Sequence, residues 1–266
     1  MAAEPIVLFD NGHHKCLMFD SLVTGDGVQS NQFLLVDGNH EALIDPGGDL
    51  TYTPLAVAAS RYMNIRDMDY VFASHQDPDI IGAIDRWLIH TKAQIITSRL
   101  WSRFLPHLAS DYVVKQLNVS VSERIVGVPD GGANVRFGDA YIQCLPAHFM
   151  HSVGNLQFYD PVSRILFSGD LGASMGNRDD DQPVTDFNAH IPHMIGFHKR
   201  YICSRKVGQL WADMVRMLDV DMIVPQHGKR FEGPEMVTKF LDWVSSVECG
   251  VDLMTSEHYQ PPGDFI

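Results

Sequence analysis

The stretch that most limits what this chain can fold into is SHQDPDIIG, Ser74 to Gly82, where His75, Asp77 and Asp79 stand at alternate positions. Residues Asp67 to Ser74 before it (DMDYVFAS) end in an apolar run of β character. Asp79 to Leu88 then show helical spacing, with Ile80, Ile84, Trp87 and Leu88 on one face. The three side chains are therefore expected at a strand-to-helix corner. Asp77 precedes Pro78, which biases it toward an extended conformation in which His75 and Asp77 project to the same side. Pro78 fits the first helical turn, where its missing N–H costs nothing. An aspartate before proline also serves as a plain helix cap. The stretch alone leaves both roles open for Asp77.

The rest of the chain supplies the sheets for such a corner. Pro5 to Phe9, Lys15 to Phe19, Gln32 to Val36 and Ala42 to Ile44 read as strands, the last two joined by the turn Asp37-Gly38-Asn39-His40. Asp45-Pro46-Gly47-Gly48 breaks the sheet, and Leu55 to Tyr62 reads as a helix. Beyond the corner come a strand at Gln94 to Thr97 and a helix carrying Leu100, Trp101, Phe104 and Leu105. Further strands follow at Arg124 to Val128, Asn134 to Phe137 and Tyr141 to Leu145, the last running into Pro146-Ala147-His148. Leu156 to Tyr159 and Arg164 to Phe167 form a hairpin pattern that ends at Ser168-Gly169-Asp170. Gly172 to His198 reads as a polar, irregular surface excursion. Val207 to Leu218 is an amphipathic helix, Met222 to Val224 a strand ending in Pro225-Gln226-His227-Gly228, and Pro234 opens a last helix. The tail from Ser256 carries little structure signal. No linker or repeat divides the chain, so 1–266 is expected to form a single α/β (α+β) domain.

Charge and cysteine usage narrow the function. The formal charge of −13 argues against nucleic acid or an anionic membrane as partner. Two bound divalent cations would bring it to about −9, so part of the acidity is that expected of a metal site counted without its metal. Cys16, Cys144, Cys203 and Cys249 are scattered with no CxxC pair, as in reduced thiols of a cytoplasmic chain. No apolar run is long enough to span a bilayer, and the N-terminus lacks a signal-peptide pattern, so no membrane association is expected.

Four loops that follow predicted strands carry metal-binding side chains: His75/Asp77/Asp79, then His148, Asp170 and His227. Each has an ordinary reading by itself, as core histidine, cap or turn residue. Strand-end loops of layered α/β folds converge on one edge, where such residues meet.

The pattern H-x-[HED]-x-D, then His, then a strand ending in GD, then a late strand ending in HG resembles the metallo-β-lactamase superfamily, and Asp45-Pro46-Gly47-Gly48 resembles its early glycine turn. A carboxylate at Asp77, where hydrolases of that superfamily usually carry histidine, is similar to the di-iron core of flavodiiron proteins, as is Arg200-Tyr201 ahead of IVPQHG. The resemblance covers nearly the whole chain. It implies a four-layer αβ/βα sandwich and two iron ions, with His75, Asp77 and His148 on one, Asp79 and His227 on the other, and Asp170 as bridge. It also implies a homodimer, and no FMN domain, because the chain ends where the flavodoxin domain of those proteins would begin. Such a core resembles the oxygen-binding di-iron proteins linked to oxygen sensing and chemotaxis. Two histidines and one carboxylate with open positions suit iron(II) that reacts with oxygen, although zinc or manganese can occupy such sites.

The superfamily pattern continues with histidine after its second aspartate, where this chain has Ile80, leaving the second metal a ligand short. Ile80 shares a helix face with Ile84 and Trp87 and fits as a packing residue. His151 stands as a proton donor or supporting partner of the site, or else as a surface residue, and Tyr201 as a hydrogen-bond donor to bound oxygen. His190, His193 and His198 read as solvated loop residues that could lid the site. The function expected is O2 binding by a non-haem di-iron centre. It would serve as an oxygen sensor with a signalling partner, or as a reductase served by a separate electron donor. The alternative is a binuclear hydrolase of ester, thioester or phosphodiester substrates, built from the same loops.

Overall fold

Phe33 and Leu35 enter one apolar cluster while Leu34, between them, enters another, so the strand they share has no wet face. The same split recurs at Cys16 and Met18 against Leu17, and at Ile165 and Phe167 against Leu166. Strands apolar on both faces must lie between two layers. The computed structural model, which describes residues 4–25, 27–117, 120–175 and 182–263, shows those layers.

The first sheet comprises β1 (Ile6–Asp10), β2 (His14–Phe19), β3 (Gln32–Asp37), β4 (His40–Ile44), β5 (Tyr70–Phe72), β6 (Gln94–Ser98) and β7 (Ile125–Val128) in that order. Its first four strands form an antiparallel meander, and β4 through β7 run parallel. Between and beyond them lie α1 (Asp49–Ala59), α2 (Pro78–Ile81), α3 (Ile84–His90), α4 (Arg99–Ser102) and α5 (Asp111–Gln116). The second sheet contains β8 (Ala133–Phe137), β9 (Ala140–Pro146), β10 (Leu156–Asp160), β11 (Ile165–Phe167), β12 (Met222–Val224) and β13 (Phe231–Glu232), with only β11 and β12 parallel. The helices α6 (Phe187–Tyr201), α7 (Arg205–Val215) and α8 (Pro234–Ser246) cover it. One core holds Phe33, Phe72, Phe158 and Phe167 between the sheets, and two others hold the helices against their outer faces. This is the expected four-layer αβ/βα sandwich.

Four local expectations change. The helix expected to carry Leu100, Trp101, Phe104 and Leu105 is α4, which ends at Ser102, followed by a 3-10 turn at Leu105–Leu108. The helix expected at Leu55 to Tyr62 runs from Asp49 to Ala59 and accommodates Pro54 in its interior. The helix expected from Asp79 to Leu88 is two pieces, separated at Gly82-Ala83. The excursion expected through His198 ends in α6, whose buried stripe is Phe187, His190, Met194 and His198. Two histidines on that stripe hid its amphipathicity from a hydropathy reading. Residues 176–181 of the excursion and 264–266 of the tail lie outside the described residues.

Candidate metal centre

Four loops converge at one end of the sandwich because strand ends there are tied to each other. The N–H of Leu156 donates to the Ser74 carbonyl at 2.9 Å, that of Gln226 to Gly169 at 2.7 Å, and that of Ser168 to Val224 at 3.0 Å. The Gln226 amide also reaches the Asp79 carbonyl at 3.0 Å. The early glycine turn supports the corner from below. Asp45, buried with φ 47, accepts the Ser74 N–H at 2.8 Å, and burial pushes its carboxyl up to about 6. The Gly47 N–H donates to the Ile80 carbonyl at 2.8 Å.

On this frame the acidic and imidazole groups form two sets about Asp170. His75 Nε2 and His151 Nε2 stand 3.5 and 3.2 Å from Asp77 Oδ2, and 3.9 and 3.6 Å from Asp170 Oδ1 and Oδ2 respectively. His227 Nε2 stands 3.3 Å from Asp79 Oδ2 and 3.6 Å from Asp170 Oδ1. His75, Asp77, His151 and Asp170 can each offer one ligand atom within 4.8 Å of the others. Asp77 occupies the N-cap position of α2 but makes no side-chain cap bond, so its carboxylate serves the cluster and not the helix.

The electrostatics follow from this crowding. The hydrogen bond from His151 and then the nearby His75 imidazole hold the Asp77 carboxyl far below the usual carboxylate range, and His227 does the same, less strongly, for Asp79. Burial pulls His75 and His227 down. The facing carboxylates prevail, Asp77 and Asp170 at His75 and Asp79 and Asp170 at His227, raising both, His227 to about 9. A metal ion would take the place of these protons, since it binds neutral imidazole and ionised carboxylate.

The donor set fits metal ions. His75 Nε2 and Asp170 Oδ1 are buried without a hydrogen-bond partner, although such groups are ordinarily paired. His227 Nδ1 donates to the Gln29 carbonyl at 2.7 Å and His75 Nδ1 lies 2.9 Å from Ser74 Oγ, which leaves both Nε2 atoms aimed at the cluster. That is the usual support of a metal-bound histidine. Nitrogen and oxygen donors without thiolate suit iron, manganese or zinc.

Of the expected ligands, the structure brings together His75, Asp77, Asp79, Asp170 and His227. It does not bring in His148, whose Nε2 donates to the Asp130 carbonyl at 2.8 Å. Phe149, at φ 64, turns the chain after His148, and His151 enters the cluster instead. The signal for His151 was Gly154 beyond it, at φ 68, which closes a tight turn immediately before β10. Tyr201 stacks on the His151 ring at 4.8 Å between centroids, and Phe197 at 5.6 Å. Ile80 is fully buried in the core with Ile84 and Trp87.

A second group, His14, Cys16 and Asp160, lies where β2 begins and β10 ends. His14 Nδ1 is 3.0 Å from Asp37 and its Nε2 2.8 Å from Asp160, so both ring nitrogens are already satisfied and the group pins one sheet to the other.

Residues 28–228 match the family described as ODP family beta lactamase. The chain is similar to the solved "Peroxy diiron species of chemotaxis sensor ODP", at 38% identity and TM-score 0.82 over 94% of this chain and 97% of that one. An apo state of chemotaxis sensor ODP from T. denticola aligns over the same shares at TM-score 0.81. The rubredoxin oxygen:oxidoreductase of Desulfovibrio gigas shares the fold, at TM-score 0.70 and 13% identity over 86% of this chain and 59% of that one. An uncharacterized protein of Methanocaldococcus jannaschii is 24% identical over 85% of the chain, which spans about half (55%) of its length.

Proposed function

This chain belongs to the ODP family of beta-lactamase-type proteins, and on that premise we propose that it is a non-haem di-iron protein that binds and reacts with O2, acting as an oxygen sensor. The observation that carries the reading is Asp170, whose carboxylate stands between two donor sets: Oδ1 lies 3.9 Å from His75 and 3.6 Å from His227, and Oδ2 lies 3.6 Å from His151, with Asp77 beside His75 and His151 and Asp79 beside His227. Iron(II) held by these residues would supply open coordination positions and electrons to O2. The protein's own residues do the rest. His75 and His227 are oriented by Ser74 and the Gln29 carbonyl. The buried packing of Ile80 leaves the Asp79 and His227 set short of a side-chain donor. Phe197 and Tyr201 cover His151 from outside, and the stacking of half-exposed Tyr201 on His151 supports a role for its hydroxyl toward a bound oxygen ligand.

Sensing requires a signalling partner, and complete reduction of O2 would require a separate electron donor. The four cysteines are free and three of them are buried, which supports neither an iron–sulfur cluster nor a thiolate iron site within this fold. No helix among the described residues is long and apolar enough to cross a membrane. We assign one domain because no linker or repeat divides the chain, a cytoplasmic location on the scattered, unpaired cysteines, and a homodimer on the family resemblance. The test is anaerobic reconstitution with iron(II) and metal analysis, followed by optical spectra on admitting oxygen. Two irons per chain and a new visible absorption are expected; one tightly held zinc and no spectral change would favour hydrolysis.

A further inference from the structure

α6 touches the centre twice. Phe197 and Tyr201 pack on His151, and the adjacent His198 reaches a different loop. His198 is 1% exposed, its Nε2 accepts the N–H of Gly172 at 2.8 Å, and its Nδ1 donates to the Met194 carbonyl at 2.9 Å. An imidazole that accepts at one nitrogen and donates at the other is neutral and held in one tautomer. Gly172 follows Asp170 by two residues, at φ 99. A Cβ there would lie 3.0, 3.3 and 3.4 Å from Phe231, Phe240 and Pro225, so the loop is already seated against the core. The Ala173 N–H closes back on the Asp170 carbonyl at 3.0 Å. The loop thus has little room to shift, and the ring of His198 ties it to α6 beside Asp170, with a second bond from the Met175 N–H to the His193 carbonyl at 3.3 Å further along.

We infer that His198 is a positioning residue for the carboxylate of Asp170: by accepting the Gly172 N–H it fixes the placement of that carboxylate between the two donor sets. It also joins Asp170 to the helix that covers His151, so the shared carboxylate and one of the two donor sets have one support. A shift of either ligand on a change in the centre would then be felt by the same helix. This rests on the reading of Asp170 as the bridge.

A purely structural role predicts something different. His198 also packs edge-on against Trp243 at 5.0 Å, and losing that contact would lower stability without favouring one metal over the other. The test uses the full chain loaded anaerobically with cobalt(II), with the two binding affinities, the visible cobalt spectrum and the urea midpoint measured together. His198→Gln keeps an acceptor within reach of Gly172, His198→Leu has none, and His198→Asn is polar but too short. The Leu variant, and the Asn variant should Leu not fold, is expected to bind the second ion about 10–100-fold more weakly, as for lost support of a metal ligand, and to alter the cobalt spectrum. Gln is expected to restore both. Wild-type affinities and spectrum in a merely less stable Leu or Asn variant overturn the inference, as does a Gln variant as impaired as Asn. If the wild type binds fewer than two ions, the reading of the centre fails and the inference with it. If it binds two and the variants are unchanged, the inference alone fails.

Discussion

Gly48 lies directly against Pro78: a Cβ on Gly48 would come within 2.4 Å of the Pro78 carbonyl oxygen. The glycine turn after β4 is therefore the floor under the loop that carries Asp77 and Asp79. Because the obstacle is backbone, Gly48→Ala forces that loop to move. The expected cost is about 1–3 kcal/mol, as for overpacking a tight contact, with a parallel loss of bound metal. Urea unfolding and metal analysis check it, and an Ala variant with native stability and full metal would show that the floor can give.

His151 and His148 should separate cleanly. His151→Ala is expected to lose metal from the His75 and Asp77 set, whereas His148→Ala, which removes only a bond to the Asp130 carbonyl, should retain wild-type metal content. Metal analysis of the two purified variants decides it, and the opposite ranking would restore His148 as the ligand.

Much of this architecture is legible in the sequence. The strands and the loops holding His75, Asp77, Asp79, Asp170 and His227 stand in the pattern, because strand ends in a layered fold meet at one edge. The choice between His148 and His151 is not. It depends on a reversal at Phe149 and Gly154, where backbone geometry, not side-chain type, sets which ring turns inward. α6 was hidden for a different reason. Its buried stripe uses His190 and His198, polar residues whose burial is explained only by what they meet. For His198 that is Gly172 and Met194.

The pin at the other end of β2 gives a pH dependence. Burial opposes charge on His14, yet hydrogen bonds to Asp160 and Asp37 raise it above its ordinary 6.5, while both aspartates are lowered below 3.8 against the same burial. The His14 contribution is full below pH 6.5 and fades as pH rises through its raised value. The aspartate contributions are full above 3.8 and fade as pH falls through their lowered values. The stability gap between wild type and His14→Gln should be widest between these limits. It should reach about 3–5 kcal/mol there, as for one partner removed from a buried ion pair. Denaturant unfolding from pH 4 to 9 measures it, and a gap that stays flat through the alkaline side would contradict a charged His14.

Tyr201 offers a test that separates ring from hydroxyl. Tyr201→Ala removes the stacking on His151 and should cost about 0.5–1.5 kcal/mol, while Tyr201→Phe keeps the ring and should leave stability and metal content unchanged. Stopped-flow spectra on mixing with oxygen should nevertheless change in the Phe variant. Identical oxygen kinetics would remove the hydroxyl from the account.

The most direct test is a crystal structure of the iron-loaded protein with anomalous scattering recorded at the iron edge. Two peaks flanking Asp170 are predicted, one ligated by His75, Asp77 and His151 and the other by Asp79 and His227. A single peak, or one bound through His148 with His151 turned away, would contradict the account.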